Sequence, residues 1–242
     1  MKQVPTLAAI LSNRISPHQS VDERAGADGV QIRRASVLDD RRMCNEYARR
    51  RSLEKLGEEF SQLRLPPLRW AGQQIPNELA GTASVRIGDV APVFRLQDDA
   101  LIGTMTPWAW KTPKGKPVFN FVSEGRDFSR SDRVLVFADG FYEFTEPAAA
   151  GVRLKDKHVF TLSGEPWFWI AGVVRDGAFT LLTLAPGPDL APYHDRQVAV
   201  LPPREGLAWL TLERPVSDIL RTPPAGSLEV ATVRKDGRSL SA

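Results

Sequence analysis

Residues 131–147 read SDRVLVFADGFYEFTEP. Two runs rich in β-branched and aromatic residues, Arg133–Phe137 and Phe141–Thr145, flank Ala138-Asp139-Gly140, and each has the length of a strand. Similar runs recur on both sides. Val93–Leu96 and Ala100–Met105 precede them; His158–Leu162, Trp167–Val174, Phe179–Leu184 and Val198–Leu201 follow, and a last run spans Leu228–Val233. Gly, Pro and Asp bound them. Helical spacing appears over 52–63, where Leu53, Leu56, Phe60 and Leu63 share a face behind Ser52 as N-cap. It appears again only in short pieces at 203–210 and 215–220. Helices that do not alternate with strands argue against a doubly wound parallel sheet. They predict an α+β fold built mainly on antiparallel sheet. Residues 64–92 hold several Pro and Gly and predict a long connection wrapped over the core.

The chain has 242 residues, 42% hydrophobic and 25% charged, which is globular composition. A chain of this length buries a core without covalent staples. One cysteine excludes an internal disulfide framework and fits a reducing compartment. With no long apolar run and no secretory signal, a cytoplasmic protein is expected. The formal charge is +3, and residues 1–42 supply +2 of it, with seven basic and five acidic groups. Global charge therefore does not signal nucleic-acid binding; only a local patch would. Arginine outnumbers lysine 24 to 8, which suits bidentate anion contacts. Residues 1–42 show no sustained period and predict a weakly ordered extension ahead of a domain over 43–242.

No phosphate-cradling loop, dinucleotide fingerprint or G-x-S-x-G elbow occurs. The three histidines and the cysteine lack metal-ligand spacing, so no cofactor or metal is expected. Four features remain: Met43-Cys44; Asn120-Phe121-Val122-Ser123-Glu124; Ala138-Asp139-Gly140-Phe141-Tyr142-Glu143-Phe144; and His194-Asp195-Arg196. Singly, each has an ordinary explanation. A lone cysteine packs as a small hydrophobe, Asn120 forms turns, Glu143 faces solvent, and His194 satisfies nearby backbone. Together, and in this order, they resemble the SOS response-associated peptidase (SRAP) family. Its members show Met-Cys, N-x-R-x-E, A-D-G-[FWY]-Y-E-W and H-x-R segments.

The resemblance spans about residues 43–235. It implies a single, barrel-like domain, expected to be monomeric, that senses abasic sites in single-stranded DNA. Cys44, Asn120, Glu143 and His194 are the implied catalytic set, and Arg196 an implied DNA-backbone contact. The chemistry follows from the residues. An N-terminal cysteine offers an α-amine of pKa about 7.7–8.0 and a thiol of about 8.5 on adjacent carbons. The amine condenses with the open-chain sugar aldehyde, and the thiol closes a thiazolidine. His194 is expected to assist ring opening and Glu143 to shuttle protons. Asn120 is expected to orient the amine or a sugar hydroxyl. Arg126 and Arg133 are further candidate phosphate contacts, and Trp108 and Trp110 candidate stacking platforms.

Several positions depart from the family pattern. Asn45-Glu46 stand where Gly-Arg is usual, Val122 replaces the arginine of N-x-R, and Phe144 replaces a tryptophan. Residues ahead of Cys44 also block its amine unless they are absent or removed, and Met43 is expected to be the initiating residue. Two other functions stay open: a thiol-dependent, self-processing peptidase using Cys44 with His194 and Glu143, and a non-covalent single-strand binder.

Overall fold

The segment RVLVFADGFYEFT carries the chain from one sheet into another. The computed structural model describes residues 44–53, 56–73 and 80–240. The expected extension over 1–42, and Met43, lie outside the described residues. In chain order the strands open with β1 (Glu46–Arg49), β2 (Leu68–Trp70), β3 (Thr82–Arg86), β4 (Val90–Gln97) and β5 (Ala100–Pro107). Three short strands follow, β6 (Trp110–Lys111), β7 (Pro117–Val118) and β8 (Asn120–Val122). Then come β9 (Asp132–Ala138), β10 (Gly140–Thr145), β11 (Asp156–Leu162), β12 (Phe168–Arg175) and β13 (Ala178–Leu184). The last are β14 (Gln197–Val198), β15 (Val200–Leu201), β16 (Leu228–Lys235) and β17 (Arg238–Ser239). Helices α1 (Leu56–Gln62), α2 (Gly206–Thr211) and α3 (Val216–Ile219) fall at the three predicted helical stretches, with α1 starting four residues and α2 three residues later than expected.

One main sheet has the order β17-β16-β11-β10-β1-β3, the other β14-β13-β12-β9-β4-β5-β2 with β8 and β15 attached at β13 and β12, and β6 and β7 form a small third. Most pairs are antiparallel; β2 with β5 and β8 with β13 are parallel. β9 belongs to the second sheet and β10 to the first, so Asp139 is the corner between them. Its carboxylate accepts Arg50 Nε and the Arg51 amide, both at 2.8 Å, which ties the corner to the end of β1. The predicted 64–92 connection is corrected here: it contains β2 and β3, each at the edge of a sheet.

Period-two patterning explains the two cores. On β9, Leu135 and Phe137 face a cluster with Phe60 of α1, Trp209 of α2, Trp167 and Trp169, while Val134 and Val136 face a second cluster. That second cluster also holds Tyr47, Phe141, Phe160, Trp108 and Phe179, and so lies between the sheets. Phe168 and Ile170 alternate with Trp169 and Ala171 in the same manner on β12. Strands covered on both faces read as unbroken apolar runs, which is why these strands stand out in the sequence.

The first cluster is tightly closed over α2. A Cβ on Gly206 would lie 2.5 Å from Trp169 Cδ1 and 2.9 Å from Leu135 Cδ1. Trp169 is held in place, its indole N–H donating to Pro203 O at 3.2 Å. Gly206→Ala is therefore expected to destabilise the fold by about 1–3 kcal/mol through overpacking. Urea denaturation measures this, and an unchanged midpoint would show that the α2 seat yields freely.

Candidate active site

Cys44 lies two residues before β1. β1 pairs with β10 in the register Tyr47↔Phe141 and Ala48↔Gly140. Continued past the end of β1, that register brings Asn45 opposite Glu143. Cys44 itself turns into the core between the sheets and is 2% exposed. Its thiol donates to Glu46 O at 3.4 Å. Burial pushes the thiol pKa well up; the charge of Glu143 adds to the rise, and the backbone of Glu46 and Tyr142 opposes it.

Asn120 opens β8, and the parallel pairing Leu181↔Asn120 on β13 places it at the same point. Its Nδ2 donates to Cys44 O at 2.7 Å, across 76 residues of chain. Its Oδ1 is buried without a hydrogen-bond partner. Glu143, on β10, is 2% exposed, and its Oε1 is likewise buried and unpartnered. Burial lifts its carboxyl pKa well above the ordinary range, with Asp195 adding to the rise. Buried polar groups are normally paired, so two unpaired acceptors close to one cysteine mark a place shaped for donors.

His194 follows a tight turn in which the Tyr193 and His194 amides both donate to Leu190 O. Its Nδ1 meets the Arg196 amide at 2.9 Å and the Arg196 carbonyl at 3.1 Å, so either neutral tautomer finds a backbone partner there. Burial depresses its pKa, while Asp195, 3.1 Å from Nδ1, works the other way. His194 and Glu143 line one cavity of about 1090 Å³, together with Asn45, Phe144, Tyr193 and Asp195. Cys44 sits behind that wall.

Asn120 and Glu143 are thus drawn to Cys44, and His194 shares a cavity wall with Glu143. The expected DNA contacts are engaged elsewhere. Trp108 is fully buried, stacked on Phe179 at 6.1 Å and tilted against Tyr47 at 5.4 Å, with its N–H donating to Phe119 O. Trp110 is 7% exposed and packs edge-on to Phe121. Both expectations are corrected: neither tryptophan offers a free ring face to a base. Arg133 is corrected too, because its guanidinium caps α2, donating to Trp209 O and Leu210 O as well as to Phe128 O. Arg126 is exposed and lies 4.1 Å over the Phe121 ring. Arg196 forms a bidentate pair with Glu124 at 2.8 and 2.7 Å, and its side chain is only 16% exposed. Its charge is therefore already matched.

Glu46, two residues after Cys44, is buried and structural. It accepts Ser84 Oγ at 2.6 Å and Lys157 Nζ at 2.8 Å. Among the described residues no group of three or more His, Cys, Asp or Glu could hold a metal ion. No helix among them is long and apolar enough to cross a membrane. Arg153, Leu154, Lys155 and Arg234 line the same cavity and escaped sequence reading. The only local signal was a basic-apolar-basic triplet in a Gly-containing loop.

An antiparallel fold of two main sheets, with a buried cysteine, amide and acid beside a cavity-lining imidazole, defines a class rather than a single activity. The family model of the SOS response associated peptidase (SRAP) matches residues 43–238, and the chain belongs to that DNA-damage-associated family. Solved structures with the same fold include a phage-related protein from Bordetella bronchiseptica, 21% identical, covering 79% of this chain and 95% of that one, with TM-score 0.56. A second Bordetella bronchiseptica protein is 19% identical, covering 79% of this chain and all of that one, also at 0.56. A protein from Bacteroides thetaiotaomicron is 17% identical over 80% of this chain and 93% of its own, again at 0.56. No functionally curated protein matches the chain.

Proposed function

We propose that this protein binds single-stranded DNA and caps abasic sites covalently through Cys44, once the residues ahead of it are absent. The observation that carries the reading is the pair of buried, unpartnered acceptors, Asn120 Oδ1 and Glu143 Oε1, around a cysteine whose carbonyl is fixed by Asn120. A free α-amine and the hydroxyl of its aldehyde adduct would supply the missing donors. The amine adds to the sugar aldehyde and water leaves, giving an imine. The thiol sulfur then bonds to the imine carbon, its proton passes to nitrogen, and one water has been lost overall. Glu143, whose protonated form burial favours, gives a proton to the departing hydroxyl. Neutral His194, in the tautomer protonated at Nε2, offers that N–H to the ring oxygen.

The peptidase reading is less well supported. Thiolate catalysis draws on a lowered thiol pKa beside an imidazole. Here the thiol pKa is raised, and the His194 Nδ1 is occupied by the Arg196 backbone. The intact mass of a chain beginning at Cys44, taken after incubation with an abasic oligonucleotide, tests the proposal. Gain of the oligonucleotide mass less one water is expected.

A further inference from the structure

The cavity in front of Glu143 and His194 extends well beyond them. It runs along the loop joining β10 to β11, where Arg153, Leu154 and Lys155 line it with Arg234 of β16. Its volume, about 1090 Å³, exceeds the range of small-molecule sites, which span roughly 300–1,000 Å³. One sugar does not need that much space. Leu154 is 51% exposed, one of four large apolar side chains left in water among the described residues.

The cations of this wall are available in a way that Arg196 is not. Lys155 pairs with Glu146 at 2.9 Å, but the two side chains are 44% and 77% exposed. Such a pair exchanges readily for a phosphate. Arg234 donates from Nε to Lys155 O at 2.8 Å, which fixes its guanidinium on the loop, and Arg153 is exposed. Glu146 and Asp195 are the opposing exposed carboxylates, and Glu143 is buried, so the open wall carries three cations against two anions. Basic groups around an exposed apolar side chain match a single nucleic-acid strand, which presents phosphates and unstacked base faces together.

We infer that the β10–β11 loop is the strand-holding arm of the site. Arg153, Lys155 and Arg234 take phosphates flanking the reacting sugar, and Leu154 packs on a base. The inference rests on the proposed single-strand reading and gives it a location in the fold. The test measures non-covalent binding by the full chain, using a dye-labelled single-stranded oligonucleotide with a tetrahydrofuran abasic analogue. That analogue has no aldehyde and cannot react. The triple variant Arg153→Ala, Lys155→Ala, Arg234→Ala is expected to bind at least about tenfold more weakly at low salt. Its log-log salt slope should fall by about 2, since each single-strand phosphate contact contributes about 0.7. Arg153→Glu with Lys155→Glu keeps the Arg234 bond to the loop backbone and should act in the same direction. Leu154→Ser should weaken binding about threefold to tenfold with the slope unchanged. Wild-type affinity, or a wild-type slope, in both cation variants overturns the arm and leaves the single-strand reading standing. No binding by the wild-type chain overturns both.

Discussion

Expressed from Met43 and relieved of that methionine, the chain is expected to gain the mass of an abasic oligonucleotide less one water, whereas Cys44→Ala should gain no thiazolidine-linked mass. The difference is all or none, because the ring needs the amine and the sulfur of one residue. Retaining even one residue ahead of Cys44 converts its nitrogen to an amide, which does not add to an aldehyde. Cys44→Ser keeps the amine and loses the sulfur. It should form an imine that borohydride traps, but no ring that survives without reduction. The structure also bears on pH. Burial holds the thiol in its protonated form, so the amine, at about 7.7–8.0, is the group whose deprotonation limits the first step. Adduct formation should accelerate from about pH 6 toward about pH 8 and then level off. A processed chain with Cys44 at its terminus and no adduct at any of these pH values would remove covalent capping as the function.

The strands of the second sheet are legible because their neighbours cover them on both faces. Leu135 and Phe137 point one way, Val134 and Val136 the other, so β9 is apolar over its central residues. β1 carries no such signal. EYAR is four residues long, and its buried Glu46 and Arg49 read as surface. It is a strand because β10 and β3 flank it, a fact of tertiary structure. β2 and β3 read as connection for the same reason: edge strands of three and five residues carry little period.

The site divides along similar lines. Cys44, Asn120, Glu143 and His194 are visible because they stand in short ordered motifs. Their arrangement in space is not readable, since the bond from Asn120 to Cys44 spans 76 residues. The charge of Arg196 is visible; its cancellation by Glu124, 72 residues away, is not. Tryptophan sequence context likewise does not separate a ring that meets a base from one that fills a core. Trp108 is the latter because β13 brings Phe179 against it.

Replacing Glu143 by Gln should slow adduct formation by about 10²–10⁴-fold, the usual scale for loss of a positioned proton donor. The same change should make the fold more stable in alkali, and both effects have one cause. Glu143 is 2% exposed with an unpartnered oxygen, and burial, helped by Asp195, favours its protonated form. The folded chain therefore keeps a proton that the unfolded chain releases near about pH 4.3. More protons bound in the folded state means that stability falls as pH rises through that interval. Glutamine stays neutral throughout and carries no such penalty. The melting temperature of Glu143→Gln minus that of wild type should be smallest near about pH 4 and grow as pH rises above it. Asp195→Asn removes the second cause of the shift, so its wild-type-like slope should end at lower pH. A difference that stays flat with pH would mean that Glu143 ionises in the fold as easily as in water. The proton for the departing hydroxyl would then have to come from another group. A stabilised, slow variant would instead tie the barrier to the acid whose burial the fold maintains at a cost in stability.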